Sequence, residues 1–170
     1  MVSENETVAQ LSEYLAVACG YNHMEAKTIG WAAELHDVGK SLLPQSLLQK
    51  PGKLLPNEFE EIKLHTTYGE RILTTISGEK GRIAREIALL HHEWYNGNGY
   101  WGYKASYLPR YIGVVSLCDV FVALANKRAY KDKWPYDEIV DYIHAHAGTK
   151  FCPRLVDTFL TIVGEATDKG

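Results

Sequence analysis

Alternation of polar and apolar residues, the mark of a half-buried strand, is missing over any useful length of this sequence, as are internal repeats and low-complexity tracts. Cysteine is scarce. Cys19, Cys118 and Cys152 are odd in number and widely separated, which fits neither a disulfide framework nor a zinc-knuckle spacing and points to a reducing compartment. No charged-then-apolar leader opens the sequence, so no signal peptide is expected. The longest apolar run, 111–124, is too short to span a bilayer and carries Asp119 inside it. A basic excess is also lacking: the formal net charge is −3, so there is no broad electrostatic footprint for duplex nucleic acid. These absences predict a cytoplasmic protein that neither enters a membrane nor coats DNA.

What is present is helical. The 170 residues, 46% hydrophobic and 23% charged, suit one compact domain over 1–170. Val8, Leu11, Leu15 and Ala18 recur at helical spacing before Gly20, and a second helix is expected from about Met24 to His36. Gly39 then allows the chain to turn. Pro44 opens a short helix through Leu48, and Pro56 opens a longer one, which Gly78 is expected to end. Another follows over about 80–93. The Gly- and Tyr-rich stretch 94–108 reads as a loop, Pro109 starts an apolar helix ending near Lys127, and Pro135 and Pro153 start two closing helices. The expectation is an all-α bundle of about six to eight helices with a metal site at its centre.

Histidine and aspartate stand where core or surface duty explains them poorly. His36 and Asp37 are adjacent; an imidazole binds one ion, whereas a carboxylate has two oxygens and can bridge two. A helix end with a capping Asp accounts for the same pair. His65 alone reads equally as a helical core residue. His91 and His92 follow the apolar Ala88-Leu89-Leu90 and lead into the Gly-rich loop, as paired ligands or as a helix-end dipole feature. Asp119 is the sharpest case. It interrupts a core-grade helix too far from either end to be a cap, and a buried carboxylate there calls for a cation. Lys40 lies three residues beyond Asp37, and Arg128 and Lys131 flank Tyr130; each is a candidate phosphate contact or a solvated helix-end charge. Mixed imidazole and carboxylate donors suit Fe, Mn or Zn.

These residues fall in motifs that carry a resemblance: HDVGK at 36–40, LLQKPGKL at 47–54, HTTYGERIL at 65–73, HHEWYNGNGY at 91–100, Asp119, KRAYK at 127–131 and GTKFCPRLVDTF at 148–159. The chain resembles the HD-GYP domains, a branch of the HD metal-dependent phosphohydrolases. The resemblance implies an all-helical domain holding two or three Fe or Mn ions. Its expected activity is hydrolysis of cyclic di-GMP to pGpG, and onward to GMP, by a metal-bridging hydroxide. Position by position, it implies His36, Asp37, His65, His91, His92 and Asp119 as metal ligands, with Asp37 bridging. Lys40 is implied beside the reacting phosphate, and Tyr100, Arg128 and Lys131 on the substrate. Glu4 stands where a further His ligand is usual, and Trp101 where the signature has proline. Val122, Asn96 and Cys152 each stand at a place where aspartate is common. These departures keep open a second reading, a catalytically impaired cyclic-dinucleotide sensor or protein-interaction module. A third reading keeps the chemistry on another nucleotide. A diguanylate cyclase, a receiver or sensor module, and a second copy of the chain are the partners the resemblance implies.

Overall fold

The computed structural model describes residues 3–126 and 134–167. Eight α-helices occur among them: α1 (Glu4–Ala18), α2 (His23–Glu34), α3 (Gln45–Leu48), α4 (Pro56–Ile72), α5 (Gly78–Leu90), α6 (Arg110–Ala125), α7 (Tyr136–Ala145) and α8 (Pro153–Thr167). No strand occurs among the described residues, only an isolated bridge between Ala147 and Phe151. The all-α expectation is met. No helix among them is long and apolar enough to cross a membrane.

The first two helices begin with the same device. Ser3 and Glu6 on α1, and Asn22 and Glu25 on α2, each form a reciprocal capping box that satisfies the free amides of a first turn. Pro56 occupies the first turn of α4, where its missing N–H costs nothing, and the Glu58 carboxylate accepts from the Leu55 amide at 2.7 Å. α6 is the central helix. It buries Tyr111, Ile112, Val114, Val115, Leu117, Cys118 and Val122, faces α1, α2, α5 and α7, and so reads as apolar all round. Leu15, Ile29, Ile87, Ile143 and Phe159 complete the core, with Phe121 and Phe159 meeting edge to face at 5.1 Å.

Three boundaries differ from the sequence reading. α2 stops at Glu34, so His36 and Asp37 lie in the turn after it rather than at its last helical residues. α4 gives way at Leu73 to a 3-10 turn over Leu73–Thr75, and Gly78 opens α5 with a φ of +74° instead of closing α4. α6 ends at Ala125, before Lys127, which lies outside the described residues along with Arg128 and Lys131.

The 3-10 segment Val38–Leu42 packs tightly on α4. Gly39 matters here for its size, because its φ is not in the left-handed region. A Cβ at Gly39 would lie 1.9 Å from the His65 carbonyl oxygen and 2.4 Å from the Gly69 amide nitrogen. Only a bare backbone lets the segment after Asp37 lie against α4, and that contact sets the distance between Asp37 and His65. We expect Gly39→Ala to cost about 3 kcal/mol or more, as backbone must move to admit it. Gly164→Ala, whose Cβ meets nothing within 4 Å, should instead be neutral or stabilising by up to about 1 kcal/mol. Urea denaturation of the two variants beside the parent checks both signs.

Candidate metal centre

Four parts of the chain converge on one point: the turn after α2 with His36 and Asp37, His65 in α4, the end of α5 with His91 and His92, and Asp119 in α6. His36, His65 and His91 are buried, each only 1% exposed. The Asp37 Oδ1 lies 3.3 Å from the His65 Nε2 and 3.9 Å from the His91 Nε2, while its Oδ2 lies 3.3 Å from the His36 Nε2. The His36 Nε2 is also 3.5 Å from the Asp119 Oδ1. The His65 and His91 Nε2 atoms are 3.4 Å apart, and the His91 and His92 rings are 4.0 Å apart at their centroids.

Local backbone fixes which nitrogen faces inward. The Nδ1 of His36 meets the Ala33 carbonyl at 2.6 Å, that of His65 the Ile62 carbonyl at 2.7 Å, and that of His91 the Ile87 carbonyl at 3.0 Å. A carbonyl only accepts, so each Nδ1 carries a proton and donates, and each ring turns its Nε2 toward the others, as a bare lone pair on the neutral His65 and His91. The three bonds run back three or four residues, as each helix leaves a carbonyl within reach of the ring that follows it.

Burial holds His65 and His91 below the ordinary imidazole range, His91 well below it, and brings His92 down to about 4. These three rings are neutral near pH 7, the form that binds metal. Burial also opposes charge on His36, yet hydrogen bonds to Asp119 and Asp37, and the charges of both, push it up to about 10. Burial opposes charge on Asp37 too, but His36 and Lys40 hold its carboxyl well below the usual range. The Lys40 Nζ donates to the Asp37 Oδ2 and is 40% exposed, so one face of the ammonium remains open to solvent.

The donors fit divalent metal. His65 Nε2 and His91 Nε2 are acceptors facing each other, and His65 Nε2 also faces the Asp37 Oδ1, which is buried and has no hydrogen-bond donor among the described residues. Lone pairs in such contact repel unless a cation lies between them. Two ligands at about 2.1 Å from one ion are separated by about 3.0–3.4 Å in octahedral or tetrahedral geometry, close to the spacings seen. Two donor groups overlap: His65, His91 and His92 form one, and His36, Asp37 and His91 the other. Glu4, the first residue of α1, is partly buried and belongs to neither.

A family model described as HD domain matches residues 1–155. The chain belongs to the HD domain family. A curated relative of the HD chain, "Cyclic di-GMP phosphodiesterase" of Thermotoga maritima, is 38% identical over 164 residues, covering 96% of this chain and 45% of its own length. The "3′3′-cGAMP-specific phosphodiesterase 2" of Vibrio cholerae is 38% identical over 156 residues, 91% of this chain and 30% of the relative. The chain therefore spans less than half the length of these two relatives. Among solved structures, an HDG"Y"P protein of Bdellovibrio bacteriovorus, Bd1817, superposes with a TM-score of 0.75 at 21% identity, over 95% of this chain and 51% of that one. The HD-GYP identification made from the motifs is borne out by these matches, as is the helical-bundle fold.

Beside the HD centre, the loop after His92 is held by a residue that sequence reasoning passed over. Glu93 is 4% exposed, and its carboxylate accepts the Trp101 amide at 2.6 Å and the Tyr103 amide at 2.8 Å. This clamp carries Tyr100 onto His92, ring centroids 4.4 Å apart, and burial followed by the charges of Asp37 and Asp119 pushes the Tyr100 phenol up to about 12. The Trp101 indole N–H reaches the Thr66 hydroxyl at 3.3 Å, and the Lys63 Nζ lies within 6 Å of the Phe59, Tyr100 and Trp101 rings. Gly99 leaves room for the turn: a Cβ there would be 2.5 Å from the Glu93 Cα. The available signal was a carboxylate at the mouth of a glycine-rich stretch, where unpaired amides collect.

Two outcomes are expected. Saturating Mn(II) at about 100 times its dissociation constant should stabilise the protein by about 2.7 kcal/mol, and Asp37→Ala should abolish that gain in a thermal-shift titration. Glu93→Ala strands two amides and should cost about 2–4 kcal/mol, with limited proteolysis opening first within 94–108.

Proposed function

We propose that this HD domain is the catalytic part of a metal-dependent phosphodiesterase that hydrolyses a cyclic dinucleotide, cyclic di-GMP first among them, to pGpG and onward to GMP. The observation that carries the reading is the ring of inward-turned Nε2 atoms around the Asp37 Oδ1, which has no hydrogen-bond donor among the described residues. His36, Asp37, His65, His91, His92 and Asp119 are the residues that would hold two ions, with Asp37 the one that would serve both. Iron or manganese is the proposed metal, two ions or three; the donor set accepts zinc as well. Bound there, such ions act as Lewis acids and make water a nucleophile near neutral pH.

The chain's own residues supply the rest. Lys40 presents a partly exposed ammonium at the edge of the ligand ring, positioned for a non-bridging phosphate oxygen or the departing one. Tyr100 lies over His92 and shields it from bulk water, leaving a ring face and phenol for the substrate. Trp101, 39% exposed and pinned at both its amide and its indole nitrogen, lies next to Tyr100 as an aromatic wall. Arg128 and Lys131 lie outside the described residues, and we retain them from the sequence as proposed contacts to the dinucleotide. The free thiols of Cys19, Cys118 and Cys152 fit a reducing, cytoplasmic setting. A receiver or sensor module or a cyclase partner fits a signalling role of this kind.

The test is anaerobic reconstitution with Fe(II) or Mn(II), followed by chromatography of products from cyclic di-GMP and 3′3′-cGAMP. We expect pGpG, then GMP, and loss of both metal and turnover in Asp37→Ala. Lys40→Ala should keep its metal while kcat falls by about 10–100-fold. Metal-loaded protein that leaves both dinucleotides intact over hours contradicts the proposal.

A further inference from the structure

A cavity of about 510 Å³ lies between the end of α1, the N-terminal parts of α6 and α8, and the loop that follows His92. None of the six proposed metal ligands lines it. Its size falls within the range of small-molecule sites, and its wall is largely apolar, with Leu108, Ile112, Val114 and Leu155.

The charge around that wall is one-sided. Lys104, Arg110, Lys150 and Arg154 all line the cavity, and none of them pairs with a carboxylate among the described residues. Arg110 instead donates to the Cys19 carbonyl at 3.1 Å and lies over Tyr21, and Lys150 donates to the Tyr142 hydroxyl at 2.7 Å and lies over Trp94. The one carboxylate in the wall is Glu93, and both its oxygens already accept the Trp101 and Tyr103 amides. Four cations around an apolar chamber thus face a single carboxylate, one already engaged by two amides, among the described residues. An inorganic anion would satisfy the charge but leave the apolar wall wet, whereas a neutral apolar molecule would leave the cations unmatched.

We propose that this cavity binds an amphipathic organic anion, an aromatic or acyl carboxylate or sulfonate. The apolar body fills the chamber between α6 and α8, and the charged head meets Arg154 and Lys104, the two of these cations whose side chains have no hydrogen-bond or ion-pair partner among the described residues. The site is separate from the metal centre yet shares with it the segment from Glu93 to Leu108, one part of which lines the cavity while another carries Tyr100 and Trp101.

The probe is 8-anilinonaphthalene-1-sulfonate, titrated by fluorescence into the metal-loaded full chain. We expect one saturable class of site. The uncharged analogue N-phenyl-1-naphthylamine should bind at least tenfold more weakly. Arg154→Glu should weaken the sulfonate at least tenfold without lowering the melting temperature, since the position is exposed in the first turn of α8, where an acidic residue suits the helix dipole. Cys19 and Cys152 line the cavity, so a saturating sulfonate should slow their alkylation by N-ethylmaleimide at least fivefold, while buried Cys118 stays unreactive throughout. Non-saturable binding, binding indifferent to Arg154→Glu or to the sulfonate, unprotected thiols, or displacement of the probe by cyclic di-GMP would each overturn the assignment. None of these readouts requires turnover, so they stand or fall apart from the phosphodiesterase reading.

Discussion

Three hydrogen bonds govern the centre of this molecule: those from the Nδ1 atoms of His36, His65 and His91 to backbone carbonyls one helical turn earlier. Each uses a ring's Nδ1 proton on its own segment, and each turns the ring's Nε2 toward the others. Gathered within a few ångströms of Asp37 in a buried space, these acceptors have no favourable arrangement by themselves. Positive charge must lie among them. Without a metal, a proton on His36 between Asp37 and Asp119 supplies part of it, which is why that imidazole alone is pushed up while its neighbours are pushed down.

The fold answers to the same requirement. Capping boxes fix where α1 and α2 begin, and the apolar α6 gives the other helices a common surface. Gly39 lets the segment after Asp37 lie against the α4 backbone, close enough to set Asp37 beside His65. On the other side, Glu93 gathers two loop amides and brings Tyr100 over His92. A polar centre in an apolar bundle is therefore held from the backbone outward, and the rigidity of each support matters more than its own contribution to stability.

Much of this was legible in the residues. Asp119 inside an otherwise apolar helix signals a cation, because no cap or solvent explains a carboxylate there. The helices opened by Pro56 and Pro153 could be placed, since proline at a first turn has few alternatives. What escaped were properties of the space between segments. Gly39 reads as a turn residue in one dimension and is a close-approach residue in three, because the clash it avoids is with His65 and Gly69, some thirty residues on. Glu93 looked like the tail of a helix, since nothing local says that the amides of Trp101 and Tyr103 will return to it. Gly78 was read as a stop and is a start, as its positive φ serves either end of a connection. The unmatched cations beside α8 likewise come together only on folding, from residues 104 to 154.

The most direct test of the account is anomalous diffraction from crystals of the Mn(II)-loaded protein, with the ion count measured on the same sample. The account predicts at least two peaks inside the ring formed by His36, Asp37, His65, His91, His92 and Asp119, with the two Asp37 oxygens on different ions. A single ion held elsewhere, or an empty ring in protein that carries stoichiometric metal, would contradict it.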